Sequence, residues 1–439
     1  MMSDSSRINQ SPSPNRREFL KGSTAAAVVG TLAGQIALAP RVFAAGSDVL
    51  KVGLVGCGGR GTGAASQALH ADPNVQLTAM GDAFADKLES SLSVLKNSDI
   101  GDKVAVGSNH KFVGFDAYKQ VIDSGVDVVV LATPPHFRPA HLKYAVEKGK
   151  HAFVEKPVAV DGPGVRSMFA TCELARQKNL AIVSGLCWRY HAGMRATFAQ
   201  LKEGAVGEIV AIEATYLTQT LKKFPRQPEW TDMEFQLRNW NGFTWLSGDF
   251  NVEQHVHSLD KVAWAMRDQP PLQCTGVGGR QARTGAESGC VYDHFSVVYE
   301  YPSGVKAFCT CRQIDGCTND VNDHIFGTKG TLHTISNEIS VDGKTTWKYR
   351  PAKGDNNDMY QAEHNELFAS IRNGTPINNG DYMTKSTLMA IMGRMSAYTG
   401  KTVTWEQALA SKESLDPETY AWGPLPTPPV AVPGLTTLA

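Results

Sequence analysis

The feature that most constrains this chain is a cluster of glycines set between a strand and a helix. Val49-Leu50-Lys51-Val52-Gly53-Leu54-Val55 is a short apolar run of strand character, and Gly56-Cys57-Gly58-Gly59-Arg60-Gly61 comes directly after it. Ala64 to Leu69 reads as the helix that the glycines open. In this Gly-x-Gly-x-x-Gly pattern Gly56 allows the tight turn and Gly58 lets backbone N–H groups approach a pyrophosphate. Gly61 lets the helix pack close to the strand, and the helix N-terminus favours an anion. Glycine turns between strands and helices are common, so the pattern alone decides little. The second strand decides more. Val75 to Gly81 ends at Asp82, 21 residues after Gly61. A carboxylate there accepts hydrogen bonds from ribose hydroxyls and repels a 2′-phosphate, which predicts a dinucleotide site that prefers NAD to NADP.

Further strand and helix pairs come after it. Asp127 to Ala132 is an apolar run suited to a parallel strand buried on both faces, and it ends in Thr133-Pro134-Pro135-His136. A helix from Ala140 to Lys148 comes next. Ala152-Phe153-Val154 runs into Glu155-Lys156-Pro157, and Asp161 starts a helix with Val165, Met168, Phe169 and Cys172 on one face. Ala181-Ile182-Val183 leads to Trp188-Arg189-Tyr190. Ligands of such sheets bind beyond the carboxyl ends of the strands. The candidate cofactor-binding residues are therefore Gly56, Gly58, Gly59, Arg60, Gly61, Asp82, Thr133, Pro134, His136, Glu155, Lys156 and Arg189.

From about residue 189 the texture changes to alternating strands with hairpin turns. Phe295, Val297 and Tyr299 alternate, Pro302-Ser303-Gly304 turns, and Val305, Ala307, Cys309 and Cys311 alternate back. Val341-Asp342-Gly343-Lys344 is a second hairpin turn. The fold class expected is α/β: a Rossmann domain over 48–188, then an α+β domain over 189–410 with a large, mostly antiparallel sheet. Residues 411–439 form a proline-rich tail, in which residues 424–434 hold five prolines and read as an extended segment laid on a neighbour.

Lys and Arg together number 43, as do Asp and Glu, which argues against a nucleic-acid binder. The first 44 residues distort this balance, with Arg7, Arg16, Arg17, Lys21 and Arg41 against Asp4 and Glu18. Residues 45 onward then carry 38 basic and 41 acidic groups, a mildly acidic remainder. Asn15-Arg16-Arg17-Glu18-Phe19-Leu20-Lys21, a mild apolar stretch and Val42-Phe43-Ala44 have the order of a twin-arginine export signal over 1–44. That predicts a periplasmic protein that engages the twin-arginine export machinery and is not integral to the membrane. The route carries folded proteins, so a tightly bound cofactor is expected. The eight cysteines include no Cys-x-x-Cys pair and read as packing residues.

The most informative later segment is Gly248 to Asp260. On one continuous helix, Glu253 and His257 are i,i+4 neighbours and Asp260 lies a turn further on. A carboxylate beside a histidine can orient the ring and raise its pKa, and imidazole moves protons near neutral pH. His255 and His257 point to different sides of a helix, so no metal site is expected there. Trp188, Tyr190, Trp230, Trp240 and Trp245 flank the cleft segments, with core packing the default for any single one.

Residues 48 to about 410 resemble the glucose–fructose oxidoreductase, inositol dehydrogenase and rhizopine-catabolism (Gfo/Idh/MocA) family, and with the export signal its exported bacterial branch. The matching landmarks are Gly56 to Gly61, Ala132-Thr133-Pro134, Ala145 to His151, and above all Glu155-Lys156-Pro157. Gly204 to Ile209, Phe326 to Gly330 and Met392 to Trp405 come after them in order. The resemblance implies a sugar, inositol or related polyol or glycoside as substrate, and hydride transfer to NAD or NADP at a secondary hydroxyl. It also implies a homodimer or homotetramer formed through the second sheet. Lys156 would stabilise developing alkoxide charge, His257 would be the acid/base, and Glu253 its partner. The family motif has Asp where Glu253 stands, and usually His where Arg138 stands, so both sites depart from it. Arg138 is read as either an anion-binding or a surface residue. Two other functions stay open: an NAD-dependent glycosidase that works by transient oxidation and elimination, and a non-catalytic sugar-binding protein that retains its cofactor. The N-acetylgalactosaminidase branch carries Thr-His-Gly-Leu-Gly where this chain has Glu253 to His257, which argues against the first of these.

Overall fold

The computed structural model describes residues 48–352 and 358–438. The twin-arginine segment, Arg16 and Arg17 included, lies outside the described residues. Six strands build the first sheet: β1 (Leu50–Val55), β2 (Val75–Asp82), β3 (Lys111–Val113), β4 (Val128–Leu131), β5 (His151–Val154) and β6 (Ile182–Ser184). They lie in the order β3-β2-β1-β4-β5-β6, all parallel, so the chain winds outward in both directions from β1. Leu54, Val128, Val129, Val130, Phe153 and Val183 are fully buried, as expected of strands covered by helices on both faces. The switch point between β1 and β4 opens a crevice at the carboxyl ends, which is where such a sheet binds ligands.

Nine strands build the second sheet. They are β7 (Ile209–Thr218), β8 (Gln273–Gly279), β9 (His294–Glu300), β10 (Lys306–Gln313), β11 (Asp320–Gly327), β12 (Thr331–His333), β13 (Glu338–Val341), β14 (Lys344–Lys348) and β15 (Val403–Thr404). Their order is β14-β13-β12-β11-β7-β10-β9-β8-β15, and every pairing is antiparallel except β7 with β10. The alternation read from Phe295 to Cys311 becomes the β9–β10 hairpin, with Phe295, Val297, Tyr299, Ala307, Cys309 and Cys311 all facing the core. Asp342 and Gly343 take φ of 49° and 73°, the two left-handed residues that a tight hairpin turn requires.

The helix Gly380–Thr399 runs between the two sheets and is buried along most of its length. Asn251 Nδ2 donates to Ala390 O at 2.8 Å and Tyr299 Oη to Met389 O at 3.0 Å, so backbone carbonyls of that helix tie it to the second half. The helix Met359–Arg372, from the far end of the chain, packs Leu367, Phe368 and Ile371 into the core of the first half. The proline-rich tail is held by its own chain. Tyr292 Oη donates to Ala431 O at 2.9 Å, Gln236 Nε2 to Leu425 O at 2.7 Å, and Leu415 N to Asp161 Oδ2 at 3.0 Å, so the tail straps its own chain. Proline has no N–H to pair in a sheet, so such a segment is held by isolated hydrogen bonds and not by a ladder. Among the described residues no helix is long and apolar enough to cross a membrane.

Candidate active site

One cleft of about 570 Å³ runs along the carboxyl ends of the first sheet and is closed on its far side by the second half. That volume is in the range of small-molecule and cofactor sites. Gly56, Gly58, Gly59, Arg60, Gly61, Asp82, Thr133, Pro134, Glu155, Lys156, Glu253 and His257 all line it, so most of the expected residues meet in one place.

The glycine loop fits a pyrophosphate by what it leaves open. A Cβ on Gly56 would stand 2.6 Å from Thr133 N, and one on Gly61 would stand 1.8 Å from Gly56 O, so these two positions are closed by the packing of the turn. A Cβ on Gly58 or Gly59 would meet nothing within 4 Å among the described residues, because these two face the cleft. Among the described residues no side chain caps the start of the helix Gly59–Ala71, which leaves its first N–H groups for an anion. Asp82 takes Cys57 N at 2.6 Å on Oδ2 and Phe84 N at 2.9 Å on Oδ1. These bonds fix the carboxylate, and its remaining lone pairs can accept from hydroxyls. Burial raises its pKa, and the two backbone donors oppose that rise.

At the other end of the cleft Lys156 leaves β5. Its Nζ donates to Glu253 O at 2.7 Å and lies 3.4 Å from Glu253 Oε1. Glu253 is therefore spent on Lys156, a different partner from the one its spacing suggested. The helix also breaks between them: Phe250–Glu253 and Val256–Ala265 are separate, with His255 N reaching back to Phe250 O at 3.2 Å. This extra residue in the turn re-aims His257 into the cleft. Its Nδ1 is buried and has no hydrogen-bond partner among the described residues. Burial first, then Lys156, Lys261 and Arg60, push its pKa well below the usual histidine value, opposite to the rise expected from a carboxylate neighbour. The ring is neutral at neutral pH and can accept a proton. Asp260 takes no part, because it accepts Arg189 Nη2 at 2.8 Å and Ser386 Oγ at 2.8 Å away from the cleft.

Two expected cofactor residues lie elsewhere. Arg189 does not line the cleft; it pairs with Asp260 and with Asp268 (2.6 Å) and stacks over Tyr382 at 4.2 Å, tying the end of β6 to the second half. His136 turns away to Tyr420 Oη at 2.7 Å and packs against Trp245, and burial lowers its pKa. Arg60 and Glu155 do line the cleft but bind each other at 2.5 Å, with Glu363 3.4 Å from the same guanidinium. Arg138 is 4% exposed and sits in the cleft wall, where Nη1 donates to Pro157 O and Nε finds no hydrogen-bond partner among the described residues. Burial lowers its pKa to about 10. Of the five aromatics singled out, Trp240 alone lines the cleft. Phe84, Phe115, Tyr216, Phe224 and Tyr360 do so without having been expected. Phe84 stands two residues past Asp82 and Phe115 two past β3, which is the signal that could have found them. Among the described residues no group of three or more His, Cys, Asp or Glu side chains could hold a metal ion.

Comparison with known proteins agrees with this architecture. Residues 50–185 match the model of the GFO_IDH_MocA oxidoreductase family, NAD-binding Rossmann fold, and residues 194–333 match that family's C-terminal domain. A trans-1,2-dihydrobenzene-1,2-diol dehydrogenase of Sus scrofa is 24% identical over 222 residues, 50% of this chain and 58% of that protein. A glycosyl hydrolase family 109 protein of Shewanella amazonensis is 30% identical over 220 residues, 46% of each. The chain spans about half the length of the curated relatives it matches. Among solved structures, an aldose-aldose oxidoreductase from Caulobacter crescentus complexed with glycerol superposes with TM-score 0.63 at 20% identity, over 81% of this chain and 99% of that one. A levoglucosan dehydrogenase in complex with NADH and levoglucosan gives TM-score 0.63 at 19% identity, with the same coverage. These likenesses establish the fold.

Proposed function

Because the chain belongs to the Gfo/Idh/MocA oxidoreductase family, we propose that it is an NAD(P)-dependent oxidoreductase acting on a secondary hydroxyl of a sugar, inositol or related polyol. The observation that carries this reading is the pairing, in one cleft, of an open glycine loop with a lysine and a neutral histidine at its other end. When bound, the nicotinamide supplies the hydride acceptor or donor. The protein does the rest. Asp82 receives ribose hydroxyls and disfavours a 2′-phosphate, which supports NAD over NADP. Lys156 Nζ, anchored by Glu253 O at 2.7 Å, offers its remaining hydrogens to the substrate oxygen and stabilises charge developing there. His257, neutral and next to that cation, takes the hydroxyl proton. Glu253 fixes Lys156 and so acts on the reacting centre through it.

The test is titration of nucleotide-free protein with NAD and NADP, then turnover against polyols, aldoses and glycosides with products identified by mass. Tighter NAD binding and net oxidation of a polyol or aldose are expected. No affinity for either dinucleotide would overturn the reading. A second reading, redox-neutral glycoside cleavage, draws on the likeness to the Shewanella protein, and release of free sugar without net oxidation would identify it.

Arg16-Arg17 and the small-residue site at Ala44 support export to the periplasm by the twin-arginine route. Exposed Val277, Phe308 and Phe326 on the outer face of the second sheet support a homodimer or homotetramer. Replacing both arginines by lysine should leave the protein in the cytoplasmic fraction, and light scattering should give the mass of two or four chains.

A further inference from the structure

A third apolar cluster lies across the mouth of the cleft, apart from the cores of the two sheets. Its buried centre is Met233, Phe235, Leu237, Phe243, Trp245 and Leu246. Packed against it are Phe84, Phe115 and Phe137 from the first half, and Leu415 and Leu425 from the C-terminal tail. Three stretches remote in sequence therefore share one small core. Phe84 and Phe115 stand just past the ends of β2 and β3, beside Asp82, and Phe137 stands past the end of β4; all three line the cleft. In a sheet of this order the ends of β2 and β3 face the adenosine half of a dinucleotide.

The tail holds these rings in place. The Trp422 ring centroid is 4.8 Å from that of Phe115 and 5.4 Å from that of Phe84. Tyr420 lies 6.1 Å from Phe115 and 5.9 Å from Phe137. Arg238, bound to Asp86 at 3.2 Å, sits over Phe84 at 4.1 Å, so that ring is held from the second half as well. The strap itself is tied along its length. Leu415 N donates to Asp161 Oδ2 at 3.0 Å, Tyr420 Oη pairs with His136 Nε2 at 2.7 Å, and Met233 N donates to Gly423 O at 3.2 Å. Leu425 N donates to Asp232 Oδ2 at 3.1 Å. The anchors pass from the first half (Asp161 and His136, holding Leu415 and Tyr420) to the segment 232–236 (holding Gly423 and Leu425), so the strap bridges the cleft mouth. Trp422 is nonetheless 44% exposed and Tyr420 45%. These two aromatics are not core residues; one side of each supports the cleft wall and the other meets water.

We propose that the strap Leu415–Leu425 is a retention element for the dinucleotide. Trp422 and Tyr420 are positioning residues that hold Phe84 and Phe115 as a preorganised wall on the adenosine half, and cofactor release requires the strap to lift. The proposal rests on the dinucleotide reading above and adds what governs exchange. A wall kept in its binding geometry saves the cost of ordering those rings on binding, and effects of this kind appear mainly in the dissociation rate. It also supplies a device by which one cofactor molecule stays with the enzyme across turnovers.

The experiment uses the full chain with Tyr420→Ala and Trp422→Ala together, and Trp422→Phe as the conservative change. Release of bound NADH is monitored by its fluorescence after mixing with excess NAD, and nucleotide carried through gel filtration is measured after denaturation. Thermal unfolding of nucleotide-free protein is the control for folding. The double variant should release NADH at least ~10-fold faster, a change of about 1.4 kcal/mol. It should also lose nucleotide on the column, while Trp422→Phe restores most of the retention and the unfolding temperature of the nucleotide-free form stays near wild type. An unchanged release rate in the folded double variant overturns the proposal. So does a faster release matched by an equal fall in unfolding temperature that Trp422→Phe fails to rescue, since the strap would then be structural only. Wild-type protein that binds neither NAD nor NADP overturns the dinucleotide reading itself, and this proposal with it.

Discussion

His257 reaches the cleft through a local fault in its helix, and its ring is kept neutral by burial and by the cations Lys156, Lys261 and Arg60. Removing it takes away the proposed proton acceptor while the glycine loop and Asp82 stay in place. His257→Ala should lower turnover by ~10²–10⁴, the usual weight of an acid–base group, with NAD affinity nearly unchanged. Steady-state kinetics beside a binding titration would check both numbers. Lys261, one helical turn beyond, is 1% exposed and paired with the equally buried Asp323, so its charge on the histidine is fixed in place and weakly screened. Glu253 did not keep the role its spacing suggested, because Lys156 competes for it and wins by offering a full charge at the strand end. Arg189 misled for a related reason. A lone arginine past a strand looks like a ligand group in sequence, and its partner Asp268 is 79 residues away.

The turn-and-helix unit from Gly56 to Ala71 divides its glycines into two kinds, and they can be told apart by experiment. Gly61→Ala drives a methyl into Gly56 O and should cost about 3 kcal/mol, seen as a fall in unfolding temperature. Gly58→Ala has room for its methyl and an ordinary backbone, with φ of −72°, so stability should hold. The methyl would occupy the space where phosphate approaches, and NAD affinity should drop by about tenfold or more by calorimetry. This unit was legible in sequence because apolar strand, glycines and helix succeed one another without a gap. Strand β3 was not, since Lys111–Val113 is three residues long and only partly buried, too short for any periodicity to register. The break between Phe250–Glu253 and Val256–Ala265 was hidden as well, because the apolar spacing continues straight through it. The five prolines of residues 424–434 announced an extended segment, but composition does not say on whose surface it lies.

At the scale of the whole molecule, buried histidines make stability depend on pH. Burial pushes His141 and His255 down to about 3 and His151 down to about 4. In the unfolded chain the same groups titrate near ~6.5. The unfolded state therefore binds protons first on acidification. Stability is full above about pH 6.5 and is lost as pH falls toward 4, by about 1.4 kcal/mol per pH unit for each such histidine. His255→Gln should remove one proton's share of that slope in denaturant titrations between pH 6.5 and 4.5. The second sheet carries a different consequence, one of timing. Its central strand β7 ends at Thr218, yet both of its neighbours, β10 and β11, begin only at Lys306 and Asp320. In the first half, Ile182 N of β6 donates to Ile377 O and Asn379 N donates to Ile182 O, from the last quarter of the chain. During synthesis β7 thus emerges with two open edges and stays unpaired until strands made much later arrive, an interval in which a strand invites foreign pairing. The middle of the molecule is made early and completed late, so a nascent chain stopped before residue 306 should be captured by chaperones or lost to aggregation.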